Sequence, residues 1–192
     1  MKKVGFIICL AFLANTLLAQ KGGIKPNIKK LRNDTVVWHA DSLLTKEDFK
    51  SKAKGPAMGF TAGGIFLYPN ESNGILVFNV EAVFVKSKSY ITKFSEYVLK
   101  HEQLHFDICE LYARKLRQKI SELDFKKVKN VAQVIDNAYK KFSGEMMREE
   151  EKYDKDTEHG LNAAKQQVWA DNIQKQIKDL DAYSGTEINT VK

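Results

Sequence analysis

The chain has 192 residues, 43% of them hydrophobic and 29% charged, which suits one globular domain and excludes a wholly disordered chain. Its net charge of +7 is spread along helix-like stretches (Arg114, Lys115, Arg117, Lys119, Lys126, Lys127, Lys129) and interleaved with acids. A nucleic-acid reader concentrates its basic residues into a stripe on a recognisable module, so these charges read as solvated helix faces and no nucleic-acid partner is expected.

The first residues carry a targeting pattern. Lys2 and Lys3 precede an apolar run from Val4 to Ala19, and no basic stop-transfer flank follows at Gln20. A short positive segment followed by such a run reads as a secretory signal peptide, with cleavage expected after Ala19. The mature chain is then expected to be secreted or periplasmic, without stable membrane association. Removing Cys9 with the signal leaves Cys109 as the one thiol, so no internal disulfide can brace the fold. Cys109 reads as a packing residue.

Residues 20–35 are basic, hold Gly22, Gly23 and Pro26, and read as a leader into the fold. Val36-Val37-Trp38 predicts a short strand, and Thr45 then N-caps a turn of helix at Lys46-Glu47-Asp48. Phe60–Tyr68 and Ile75–Val85 are β-branched and aromatic runs separated by a Pro/Asn/Gly cluster, which predicts a hairpin or meander. In the second run Leu76, Phe78, Val80, Ala82 and Phe84 form an apolar face, and Val77, Asn79, Glu81, Val83 and Val85 a mixed one. From Ser89 the period becomes helical: one helix over Tyr90 to about Ile120, a second over Val131 to about Tyr153 with Gly144 as a candidate break, and a third over Leu161 to about Ala182. The expected fold is α+β, a small N-terminal antiparallel sheet followed by a helical C-terminal half. The boundaries expected are 1–19 signal peptide, 20–35 leader, 36–183 a single domain and 184–192 a flexible tail.

The chemistry concentrates in His101-Glu102-Gln103-Leu104-His105. Histidines four apart share one helix face and can hold one Zn²⁺, with Glu102 directed toward the metal-bound water as general base. Composition alone yields this pentad in roughly one shuffled chain in 200. Its place within an apolar helix face is therefore what separates it from a solvated surface helix. A catalytic zinc needs a third protein ligand and an open position. Ile108 and Leu111 exclude the metzincin extension. The candidates downstream are His159 first, Asp154 second, and Glu149, Glu150 or Glu151 third.

The run His101 to Ile108, continuing through Glu110-Leu111-Tyr112-Ala113-Arg114, resembles a bacterial secreted family catalogued as domain of unknown function 922 and described as zinc-dependent proteases. Tyr153-Asp154, Thr157, His159-Gly160, Gln167 and Trp169 are similar to that family's second block, and Leu43-Leu44-Thr45 with Asp48-Phe49 to its N-terminal portion. The resemblance runs from about Trp38 to Trp169. It implies zinc binding and proteolysis as a class, and it favours His159 as third ligand. Asp107 is either an acceptor behind the ligands or a carboxylate paired with Arg114 or Arg117. The edge of the Ile75–Val85 strand could take an extended peptide, although a plain core strand suits it better.

The function expected is an exported zinc metallopeptidase acting on a peptide or protein substrate, with His101, His105 and His159 on the metal and Glu102 as base. A non-catalytic zinc-stabilised binding protein is the alternative, and an exported helical protein without metal is the plainest one.

Overall fold

The computed structural model describes residues 32–52, 55–72 and 75–190. The expected signal peptide and all of the leader before Arg32 lie outside the described residues. No described helix is long and apolar enough to cross a membrane.

The strands are β1 (Thr35–Val37), β2 (Gly59–Phe60), β3 (Gly63–Ser72), β4 (Ile75–Val85), β5 (Tyr90–Ile91) and β6 (Glu187–Asn189). The helices are α1 (Glu96–Ser121), α2 (Val131–Asp156) and α3 (Ala163–Asp179). The fold is α+β, as the switch from period 2 to period 3.6 after Ser89 predicts. The helix expected from Tyr90 starts later: Tyr90 and Ile91 pair with β2, and Ser95 caps α1 by accepting from the Val98 amide, which satisfies an otherwise unpaired donor. Gly144 does not break α2, whose 26 residues run through it. Asn130 and Asn162 cap α2 and α3 in the same way. Thr45 begins the short 3-10 turn Lys46–Asp48 with a reciprocal capping box.

The hairpin expected in the middle is β3–β4, paired antiparallel from Gly63↔Phe84 to Ser72↔Ile75. β4 is the centre of the sheet. Its other edge is shared end to end by β1, on Val83–Val85, and β6, on Val77–Asn79. That leaves no free edge on β4 for an added peptide, so it is the core strand that its apolar face suggested. The C-terminal segment expected to be a flexible tail instead supplies β6. Its Ile188 is buried, and a backbone edge that pairs with a central strand has more to gain from order than from solvation.

One face of β4 (Phe78, Val80, Ala82, Phe84) joins the core with Leu104, Phe106, Ile108, Leu111 and Ile120 of α1. Phe84 packs on Phe106 with ring centroids 5.9 Å apart. The other face is not solvated as a mixed strand face usually is: Asn79, Glu81 and Val83 are buried too. Glu81 accepts from Arg32 at 3.2 Å and from the Tyr68 hydroxyl at 3.0 Å.

The middle of α1 is buried around its full circumference, from Phe106 to Arg114, because the sheet, α2 and α3 surround it. Its charged residues must then be paired. Glu110 accepts from Arg114 Nε at 2.8 Å and from both terminal nitrogens of Arg117 at 2.9 and 3.0 Å. Arg117 also donates to the Val80 carbonyl of β4 and the Tyr183 carbonyl, and Arg114 to the Ile177 carbonyl of α3. One buried cluster therefore ties α1 to the sheet, to α3 and to the segment leading into β6. Removing its anion leaves two guanidinium groups in the interior. Glu110→Ala is expected to lower the unfolding free energy by about 3–5 kcal/mol, measured by urea denaturation; a change below about 1 kcal/mol would show that the cluster does not brace the fold.

Candidate metal centre

His101 and His105 lie on the α1 face that meets the last turn of α2. A metal ion needs ligand atoms that converge on one point, and here two elements bring them together. Asp154, two residues before the end of α2, places its Oδ1 3.2 Å from His101 Nε2 and 3.2 Å from His105 Nε2. The two rings stand edge to face with centroids 5.0 Å apart. These three side chains form a cluster that could hold a metal ion, their ligand atoms all within 4.8 Å of one another.

The remaining ring nitrogens are held from behind. Tyr153 Oη lies 2.7 Å and Gln166 Oε1 3.2 Å from His101 Nδ1. The Gln166 carbonyl can only accept, so it takes the Nδ1 proton and turns Nε2 toward Asp154. Behind His105, Glu150 Oε1 stands 4.0 Å from Nδ1, a separation at which charge acts but a hydrogen bond does not form. Tyr153 stacks on His101 and meets His105 edge-on, with centroids 4.8 and 5.0 Å away.

Two glycines allow the close packing. Thr157, Glu158, His159 and Gly160 turn the chain from α2 into α3, with φ of 55°, 54° and 81° at the last three. A Cβ at Gly160 would stand 3.1 Å from His101 Cγ and Nδ1, so glycine serves both the left-handed backbone and the ring beside it. At Gly59, in β2, a Cβ would come 2.3 Å from Glu102 Oε1. Backbone thus lies directly against the Glu102 carboxyl.

Glu102 is buried, and Thr61 Oγ1 stands 2.8 Å from its Oε2. Burial pushes its pKa up, and the charges of His105 and His101 and the Thr61 hydrogen bond only partly counter this. Burial also opposes charge on His105, but the hydrogen bond and charge of Asp154 outweigh it and raise the imidazole to about 9. Asp154 is correspondingly held far below the usual carboxylate range: His101 and His105 more than offset its own burial. His105 and Asp154 therefore stand as an ion pair, with the buried Glu102 carboxyl beside them.

The structure brings together His101, His105 and the acid ranked second, Asp154, with Glu102 alongside. It does not bring in His159, the residue ranked first. α2 ends at Asp156, and the His159 amide donates to the Asp154 carbonyl at 2.7 Å, which fixes His159 on the outside of the left-handed turn. Its side chain is 59% exposed and reaches only the far oxygen of Asp154, at 3.5 Å. What the His159-Gly160 pair contributes at the centre is the glycine. Glu149 and Glu151 are off the site, and Glu150 stands behind His105. Asp107 is neither paired with an arginine nor beside the histidines: its carboxylate accepts from Trp38 at 2.8 Å, Gln103 at 2.8 Å and Gln174 at 2.9 Å. Cys109 is fully buried in the core. Sequence reasoning gave no role to Tyr153 and did not mention Gln166. The helical spacing Gln166, Trp169, Ile173, Ile177, all buried in α3, puts Gln166 on the inward face and could have found it. Thr61 lies in a loop and gives no such signal.

Residues 85–160 match the family model described as bacterial protein of unknown function (DUF922). The matched segment starts at the end of β4 and closes on Gly160, so it contains every residue of the cluster and Glu102. It is narrower than the Trp38–Trp169 span that the sequence suggests. No curated protein and no solved structure matches the chain.

Two outcomes follow from this geometry. Asp154→Ala is expected to weaken divalent metal binding at least about 100-fold and His159→Ala less than about 10-fold, read by competition with a chromophoric chelator; the reverse order would put His159 on the metal. In metal-free protein, His105 and Glu102 both have raised values, so the stability they contribute is present at low pH and lost as pH rises through the folded values. Asp154, depressed, contributes stability above the ordinary carboxylate range. The metal-free melting temperature is therefore expected to fall between pH 7 and pH 9.5, and in Asp154→Asn to fall less; equal slopes would remove the ion pair from the account.

Proposed function

We propose that this chain is an exported, zinc-dependent peptidase in which His101, His105 and Asp154 hold the metal and Glu102 is the general base. The observation that carries the reading is the single Asp154 oxygen standing 3.2 Å from each of two histidine Nε2 atoms. Ligands on a tetrahedral zinc with bonds of about 2.0 Å are about 3.3 Å apart, so this donor set fits zinc with little movement. Two imidazoles and one carboxylate, with one position left open, are also the ligand count of catalytic rather than structural zinc. Bound zinc would supply Lewis acidity toward water and a substrate carbonyl.

The protein's own groups do the rest. Glu102 follows a ligand directly in sequence and is buried with its carboxyl against backbone at Gly59. Its raised affinity for a proton suits a group that takes one from water and returns it to a departing amine. Thr61 holds one carboxyl oxygen and leaves the other for that exchange. Tyr153 and Gln166 keep the His101 ring turned so that Nε2 faces Asp154. The DUF922 match supports the reading only in that residues 85–160 include His101, Glu102, His105 and Asp154. The targeting pattern at residues 1–19 supports export, and a peptide or protein is the substrate class that the base and metal together suit.

A zinc-stabilised binding protein without catalysis is the second reading. His159 stands 3.5 Å from Asp154 Oδ2, and a small shift of the turn that made it a fourth ligand would close the open position. Glu102→Gln separates the two. It is expected to retain one zinc per chain by elemental analysis and to lose peptide hydrolysis by at least about 100-fold. Native protein that holds zinc yet hydrolyses no peptide in an unbiased mixture would favour the binding protein.

A further inference from the structure

A cleft of about 260 Å³ opens beside the metal centre, between the first turn of α1, the segment before β2 and the turn into α3; Met58, Lys93, Tyr97, Val98, Gly160 and Leu161 are among its walls. Gly160 is shared: its other side meets the His101 ring. Met58 and Leu161 are apolar side chains left 37% and 71% exposed, from two segments far apart in sequence, whereas Val98 is buried at its floor. Met58 is not loosely placed, since its carbonyl accepts from the Thr92 amide at 2.7 Å.

From this we propose that the cleft receives one apolar side chain of an extended peptide; the proposal rests on the peptidase reading above. The volume decides the class. Sites for drug-sized ligands run to about 300–1,000 Å³, whereas this one accommodates a single Leu- or Phe-sized group. Contact through Gly160 puts that group next to the metal centre, so it selects the residue adjoining the bond at risk. Lys93, among the walls, disfavours a basic side chain there by like charge.

The test uses zinc-loaded Glu102→Gln, which holds peptide without cutting it. Fluorescent decapeptide pools are fixed at the central position as Leu, Phe, Gly or Lys, and binding is read by anisotropy. The Leu and Phe pools are expected to bind about 10-fold tighter than Gly, and Lys weakest. Leu161→Lys combined with Met58→Lys should abolish the Leu preference with zinc affinity unchanged. Equal binding of Leu and Gly, a preference that survives the double variant, or no binding by any pool would overturn the proposal. The same pools are offered to native protein: a Leu preference without any hydrolysis would reject the peptidase reading and leave the cleft's selectivity standing.

Discussion

The site depends on one constraint: a single carboxylate oxygen on the last turn of α2 must reach two imidazoles on consecutive turns of α1. Side chains four apart on a helix converge on a point only a few ångströms from the helix surface, so α2 must approach α1 closely and end at the right height. Small and planar groups at the contact permit this. Gly160 admits the His101 ring, Tyr153 stacks on it, and the three left-handed residues after Thr157 reverse the chain before α2 could run on past the histidines. For Glu158 and His159 that backbone is costly, and burial of Thr157 and Trp169 around the turn offsets the cost.

The rest of the fold holds α1 in place. Because α1 is buried on all sides from Phe106 to Arg114, its orientation is set by the sheet, α2 and α3 together, and the Glu110–Arg114–Arg117 cluster joins the sheet and α3 contacts to the segment before β6. The C-terminal strand β6 belongs to the same arrangement, since the Tyr183 carbonyl just before it accepts from Arg117. A metal centre on so constrained a helix is preorganised: little must move to bring the ligand atoms to bonding distance, and little ordering entropy is left to lose.

Much of this was legible in the chain, for physical reasons that differ by element. The β3–β4 hairpin and three helices follow from periodicity, which reports burial directly. The two histidines and Glu102 follow from helical spacing, a local property. The third ligand is not local. His159 and Asp154 are both plausible donors by residue type, and only the end of α2 and the hand of the turn after it decide which points inward; those depend on Gly160 packing against His101, a contact 59 residues apart in sequence. β6 was missed for a similar reason. Glu187-Ile188-Asn189 has no pattern long enough to mark a strand, and it is ordered by the vacant edge of β4. The buried mixed face of β4 also escaped, because alternation tells which residues are polar and not what covers them. Asp107 shows the limit of pairing by charge: a tryptophan and two glutamines satisfy it while the arginines nearby are committed to Glu110.

X-ray absorption at the zinc edge, on protein loaded with one equivalent of zinc, tests the central claim most directly. Two imidazole rings contribute a distinctive multiple-scattering signal, and the account predicts two of them with two oxygen ligands at about 2.0 Å. A shell fitted by three imidazoles would place His159 on the metal, and failure to bind zinc at all would contradict the metal centre itself.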